Sequence, residues 1–128
     1  MQQSTTDPEL ITQQSFVART LGWLDTESII FPTLIKAMQP GKETLVRSDA
    51  IRAIAQVAGR KALTNGSITD QDVIDQVIEF SRDENALMRQ VAAFTLGLLP
   101  GENVDQRLKV MAGDTDKNTR TNAAIALT

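Results

Sequence analysis

The side chains that could take part in chemistry are carboxylates and arginines, because the 128 residues contain no His, Cys or Tyr. This composition excludes imidazole bases, thiolate nucleophiles, disulfides and Cys/His metal sites. The carboxylates cluster at Asp70, Asp72 and Asp75, and again at Asp114 and Asp116. A calcium loop would need a later glycine and a bidentate glutamate, which neither cluster has at the required spacing. We expect these carboxylates to cap helix N-termini, and we predict no catalytic, cofactor-binding or metal-binding residue.

The arginines recur together with aspartates. Asp83 precedes Arg89 by six residues, and Asp114 precedes Arg120 by six. Arg47 occupies the same place in an earlier segment. A row of arginines could bind anions. The joint recurrence favours a structural ladder instead, in which each arginine bonds an acidic side chain or a helix-end carbonyl near a turn.

These arginines lie in an internal repeat. The motif Thr-Leu-Gly-x-Leu ends at Leu24 and again at Leu99, and its glycines, Gly22 and Gly97, predict a close approach of helices. The equivalent positions are 33, 42 and 31 residues apart, and they are Gln14, Arg47, Arg89 and Arg120. The longer middle spacing comes from a turn-rich stretch at 59–67, predicted to be a surface loop. A period of about 32 residues fits one pair of helices.

Apolar residues at helical spacing and helix-ending residues predict about seven helices and no strands. In the second helix of the first pair, Asp7 is the expected N-cap. In the next second helix, Thr44 is the expected N-cap and Gly59 the expected end. Asn85 is the expected N-cap of the third. Pro32 lies within a first helix, so that helix should start late or kink.

The segment 83–97 resembles a HEAT-like repeat, in the short form found in the phycobilisome-lyase-type branch. It has that pattern's Asp, apolar–Arg pair, Ala-Ala and Leu-Gly. The second unit departs from it with Gly41 in place of the Asp, and the first unit has Gln14 in place of the Arg. The resemblance implies an all-α, right-handed α-α superhelix of about 3.5 hairpins, with the second helices on the concave face. We expect one domain over residues 1–128, a fragment of or one module in a larger protein. An up-down bundle is the rival architecture.

The inner face of the second helices is unusually apolar for a solvated surface. Counting along each helix from its first core position places aromatic, aliphatic and arginine side chains away from the core. Such a mixture is typical of binding sites. The predicted partner-binding residues are Phe16, Arg19, Trp23, Arg52, Gln56, Val91, Phe94, Leu98 and Ile125. Cover within the chain or self-association would account for the same surface equally well.

The sequence favours a non-enzymatic scaffold that binds a peptide or protein on this face. The resemblance also leaves open a bilin lyase-like role on phycobiliproteins, and a third possibility is a structural or oligomerising spacer. A homodimer could form through the apolar face or the last helix. The net charge of −3, without a basic run, argues against nucleic acid. No apolar stretch is long enough for a membrane span and no signal is visible, so we expect a cytoplasmic protein.

Overall fold

The computed structural model describes the backbone of residues 27–128 and the side chains of residues 29–128. Over this range the secondary structure is helical, with six helices and no strand. The helices are α1 (Glu27–Ala37), α2 (Thr44–Ala62), α3 (Gln71–Phe80), α4 (Ala86–Leu96), α5 (Glu102–Met111) and α6 (Lys117–Leu127). The predicted first second-helix, with Asp7, Phe16, Arg19, Gly22 and Trp23, lies outside the described residues.

Short polar side chains cap three of the described helices, and two of these caps come from the acidic clusters. Asp70 accepts hydrogen bonds from the N–H groups of Asp72 (3.0 Å) and Val73 (3.3 Å) at the start of α3. Asn85 accepts one from the next helix at 2.9 Å, and Asp116 accepts the Thr119 N–H at 2.8 Å. These contacts satisfy backbone donors that the helix itself leaves unpaired.

Two predicted boundaries of α2 are wrong. Thr44 is the first helical residue, and Glu43 precedes it in the N-cap position without a side-chain cap bond. The helix does not end at Gly59 but continues to Ala62, and the loop begins at Leu63. A glycine inside a helix lowers the stability of that helix, but it does not end a helix that tertiary packing holds in place. α1 begins before Pro32, which rules out the late start and leaves the proline inside the helix.

The helices stack as pairs in two layers. The second helices form one layer, in which α2 packs on α4 and α4 packs on α6. The first helices form the other, in which α1 packs on α3 and α3 on α5. Within the described range α1 and α6 have no extensive contact, so the pairs do not close around a common axis. The all-α solenoid prediction is therefore confirmed, and the bundle is excluded.

The layers meet along one continuous core of apolar, mostly aliphatic side chains. The largest fully buried side chains are Phe31, Ile30, Leu34, Ile51, Ile54, Ile68, Leu96, Leu108, Met111, Val73, Val77 and Val104. Gly97 lies where α4 and α6 approach most closely, because a Cβ at this position would be 2.8 Å from the Cβ of Ala126. This contact confirms the predicted reason for the glycine in the Leu-Gly motif. Among the described helices none has the length and apolarity of a membrane span.

Candidate functional site

Successive pairs are connected by an arginine on the second helix and an aspartate in the following turn. Arg89, near the start of α4, donates from Nε and Nη2 to the two carboxylate oxygens of Asp114, at 3.0 and 3.2 Å. Arg47, at the same place on α2, donates from Nη2 to Asp83 at 2.9 Å. The Arg47 guanidinium also lies 4.9 Å from the ring centroid of Phe80. Each arginine therefore fixes how one pair sits on the next.

The same arginines hold the turn that precedes their own helix. Arg89 Nη1 donates to the carbonyls of Asp83 and Glu84 at 3.0 and 2.8 Å. Arg120 Nη1 makes the equivalent bonds to Asp114 and Thr115, at 2.8 and 3.1 Å. The five residues predicted as a ladder are therefore connected in the structure by hydrogen bonds, and in Arg47 and Arg89 these bonds take both Nε and Nη2.

Contacts of this kind lower the pKa values of three aspartates. Burial raises the pKa of the Asp114 carboxyl, but the N–H of Asp116 and the Arg89 guanidinium outweigh it and hold that pKa below its usual range. Burial likewise raises the pKa of Asp83, and the N–H of Asn85 together with Arg47 brings it below its usual range. Hydrogen bonds from the Thr119 N–H and hydroxyl lower the pKa of Asp116. All three carboxyls are stabilised as anions by groups that the fold supplies.

A groove runs over the layer of second helices, and we call it the second-helix groove. Its volume is about 670 Å³, and it is formed by parts of α2, α4 and α6 together with Leu98, which lies two residues after the end of α4. The lining residues are Arg52, Ala55, Gln56, Gly59, Gln90, Val91, Phe94, Leu98 and Asn122. Arg52 is the charged residue among them, and Phe94 is 58% exposed.

Amide side chains fix the polar side of the second-helix groove. Gln90 Nε2 donates to the Asp116 carboxylate at 2.9 Å, and Asn122 Nδ2 donates to the Gln90 carbonyl at 3.0 Å. Both bonds join α4 to α6. Gln56 Oε1 is buried, and the described residues offer it no hydrogen-bond donor. A buried acceptor without a donor is uncommon in folded proteins.

The structure brings together five of the nine residues predicted for partner binding. Arg52, Gln56, Val91, Phe94 and Leu98 all line the second-helix groove. Ile125 is 66% exposed on α6 but is not among the lining residues. Phe16, Arg19 and Trp23 lie outside the described residues.

Two exposed leucines on the same face were missed by the sequence analysis. Leu87 is 66% exposed and Leu45 is 48% exposed. Leu87 continues the spacing of Val91, Phe94 and Leu98 toward the start of α4, so the stripe extends over twelve residues, or about 16 Å. The sequence prediction counted from the core residue Met88, which follows Leu87, and therefore did not include Leu87.

The acidic clusters do not form a metal centre in the described part of the chain. No group of three or more carboxylates there has the geometry to hold a metal ion. Asp70 and Asp116 are helix caps, and Asp75 accepts a hydrogen bond from the Gln71 amide at 2.8 Å. Their structural roles account for the clustering.

Stacked helical pairs connected by arginine and aspartate define an α-solenoid repeat protein, a class whose units contact mainly their neighbours. Within that class, the family model for HEAT repeats matches residues 31–128, and the chain belongs to the HEAT-repeat family. No curated protein matches the chain closely enough to count as a relative. HEAT repeats commonly mediate protein–protein interaction, and the family is generally a non-enzymatic scaffold.

Proposed function

We propose that this domain is a non-enzymatic interaction module that binds a peptide or protein segment along the second-helix groove. The observation that carries the proposal is the apolar stripe of Leu87, Val91, Phe94 and Leu98, in which Leu87 and Phe94 are exposed and Val91 and Leu98 are partly buried against the edge of the core. Solvated helix faces are normally polar. An aromatic ring and an arginine in one groove are typical of residues that dominate binding energy.

The polar groups of the second-helix groove support the same function. Arg52 has a side chain that is 56% exposed, and it lies 3.9 Å from the buried carboxylate of Asp49. Its guanidinium can still donate to a carboxylate of a partner.

The experiment is photo-crosslinking and affinity capture with matched variants. Benzoyl-phenylalanine at position 94 is compared with the same group at Val110, which is 63% exposed on α5 in the other layer. We expect one defined protein to crosslink at position 94 and not at position 110. Phe94→Ala should then weaken binding of that protein by about 30-fold, as loss of a central aromatic anchor does, while Val110→Ala leaves the affinity unchanged.

Folding has to be controlled separately. Phe94→Ala should leave the circular dichroism spectrum and the melting temperature of the domain unchanged, because the ring is largely exposed. A partner that still binds the folded double variant Phe94→Ala, Arg52→Ala with undiminished affinity would show that the groove is not the site. A concentration-dependent dimer that Phe94→Ala abolishes would replace this function with self-association.

A further inference from the structure

The walls of the second-helix groove are helices and offer a ligand few backbone partners. Apart from Leu98, every lining residue belongs to α2, α4 or α6, whose backbone N–H and C=O groups bond within their own helix. An extended segment on such a wall would leave many of its own backbone groups unpaired, which costs free energy. A helix pairs its own backbone groups. The groove therefore favours a helical occupant over an extended one.

The groove also has the spacing and the room that a helix needs. Its apolar stripe repeats every three or four residues over about 16 Å, which is the rise of about three helical turns. On the opposite wall Ala55 and Gly59 lie four residues apart on α2, and a Cβ at position 59 would meet nothing within 4 Å. Small side chains allow another backbone to approach closely. One face of a helix can therefore pack on the stripe while its backbone lies close to α2.

Hydrogen-bond acceptors lie on the α4 and α6 side of the groove. Gln90 Nε2 donates to Asp116, and Asn122 Nδ2 donates to the Gln90 carbonyl. Asp116 is itself held by the N–H and hydroxyl of Thr119, at 2.8 and 2.9 Å. Because each amide nitrogen bonds the protein, the amide oxygens of Gln90 and Asn122 remain as acceptors, and no described residue donates to them. This side is complementary to a hydrogen-bond donor of a partner.

The α2 side of the groove carries a positive charge instead. The Arg52 side chain is 56% exposed, and its ion pair with Asp49 is long, at 3.9 Å. Arg52, Gln90 and Val91 also line a smaller cavity of about 230 Å³, which extends the groove toward Leu87 at the start of α4. Among the described residues that line these two cavities none is a carboxylate. The positive charge of Arg52 is therefore complementary to an acidic residue of a partner.

We infer that the second-helix groove binds an amphipathic helix of about three turns that has an acidic flank and a basic flank. Its apolar face packs on the stripe of α4, its acidic flank lies beside Arg52, and a lysine or arginine on its other flank donates to the amide oxygens of Gln90 and Asn122. This inference rests on the proposed function and adds to it the chemistry of the partner. The two unlike sides of the groove fix which way round the helix lies.

The test is a selection from a display library of random peptides of about 16 residues, a helix of about 24 Å. The whole chain is the bait, and peptides that also bind its Phe94→Ala variant are removed. We expect enriched peptides with apolar residues every three or four positions, an acidic residue on one flank and lysine or arginine on the other. Proline-rich sequences, or apolar residues at every second position, would overturn the inference and leave the proposed function standing.

Two further outcomes of the selection are decisive. If binding of no enriched peptide depends on Phe94, the proposed function fails together with the inference. If the enriched sequences match a segment of this chain, the chain is its own ligand and a foreign helix is not the occupant.

The assignment of the flanks has a matched control. An enriched peptide is compared with a version in which the acidic and basic flank residues are exchanged, so that composition and net charge stay the same. Fluorescence anisotropy should show about tenfold weaker binding of the exchanged peptide, and Arg52→Glu should remove this preference. Circular dichroism of the mixture should show helix gained on binding. Equal affinities of the two peptides for the wild-type chain would overturn the inference.

The position of the helix is tested by filling the groove. Gly59→Leu should not lower the melting temperature, because leucine is the better helix former and position 59 has room for a Cβ. Its side chain would occupy the space of the bound helix, so we expect peptide affinity to fall by at least about 30-fold. Val110→Leu, on the exposed face of α5, should leave the affinity unchanged. Undiminished binding by Gly59→Leu would overturn the inference.

Discussion

Gly59, inside α2, and Gly97, directly after α4, show that glycine can have opposite effects on stability at two positions of the second-helix layer. A Cβ at position 97 would be 2.8 Å from the Cβ of Ala126. Because that atom is bonded directly to the backbone and cannot rotate away, α4 and α6 would have to separate. A Cβ at position 59 would meet nothing within 4 Å. We expect Gly97→Ala to lower the free energy of unfolding by about 1–3 kcal/mol.

The matched variant Gly59→Ala should raise the free energy of unfolding by about 0.5–1 kcal/mol, because Ala is the better helix former and has room there. Urea unfolding of both variants measures the two changes. Equal effects would mean that the close approach of α4 and α6 does not depend on the glycine.

The connecting aspartates make stability depend on acid pH. Because the pKa of Asp114 is lowered in the folded state, its stabilising contribution is present above the unfolded-state value of about 3.9 and is lost as pH falls through the folded value. The same holds for Asp83. We expect Asp114→Asn to be less stable than wild type at neutral pH and to lose less stability on acidification.

Urea unfolding at a series of pH values from about 7 to 2 measures this difference. Asp105→Asn is the control, since Asp105 is exposed on α5 and no bond from it to an arginine is found among the described residues. If acid lowers the free energy of unfolding of Asp114→Asn as much as that of wild type, Asp114 is not a source of the pH dependence.

At the scale of the element, α4 has two apolar faces with different purposes. Leu96 is 0% exposed in the core, whereas Leu87 is 66% exposed beside the second-helix groove. Leu96→Ala should lower the free energy of unfolding by about 2–5 kcal/mol, as removal of a buried leucine side chain does. Leu87→Ala should change it by less than about 0.5 kcal/mol. Chemical unfolding of the two variants measures both, and a large loss for Leu87→Ala would mean that this residue is structural.

The start of α3 depends on one carboxylate of its acidic cluster. Asp70 accepts hydrogen bonds from the N–H groups of Asp72 and Val73, whereas the exposed Asp72 lies two residues further on, in the first turn of the helix. Asp70→Ala should cost about 1 kcal/mol of stability through loss of the N-cap. Asp72→Ala should cost less, since it removes only an interaction with the helix dipole. Thermal unfolding compares the two, and an equal or larger loss for Asp72→Ala would refute the assignment of the cap.

At the scale of the whole molecule, the sequence was sufficient for features that repeat. The Asp–Arg spacing predicted the stacked pairs because it recurs after 31 residues, the length of one helical hairpin, and the Leu-Gly motif marks equivalent positions in the first and third pairs. The end of α2 was wrong because glycine is only a weak stop when tertiary packing continues past it. Gln90 in the groove was missed because a groove between helices depends on distances between helices, which the stripe of a single helix does not contain.

In a solenoid, a destabilising substitution should affect mainly its own helical pair and the neighbouring pairs. α1 packs on α2 and α3, while α6 packs on α4 and α5, so stability should be transmitted mainly between neighbouring pairs. We expect Met111→Ala, which opens a cavity under α5, to raise hydrogen exchange in α5 and α6 by at least about tenfold while α1 changes much less. Leu34→Ala, in α1, should show the reverse pattern. Native-state hydrogen exchange with mass spectrometry measures both variants, and a uniform rise across all six described helices in either one would indicate a single cooperative core instead of a row of coupled pairs.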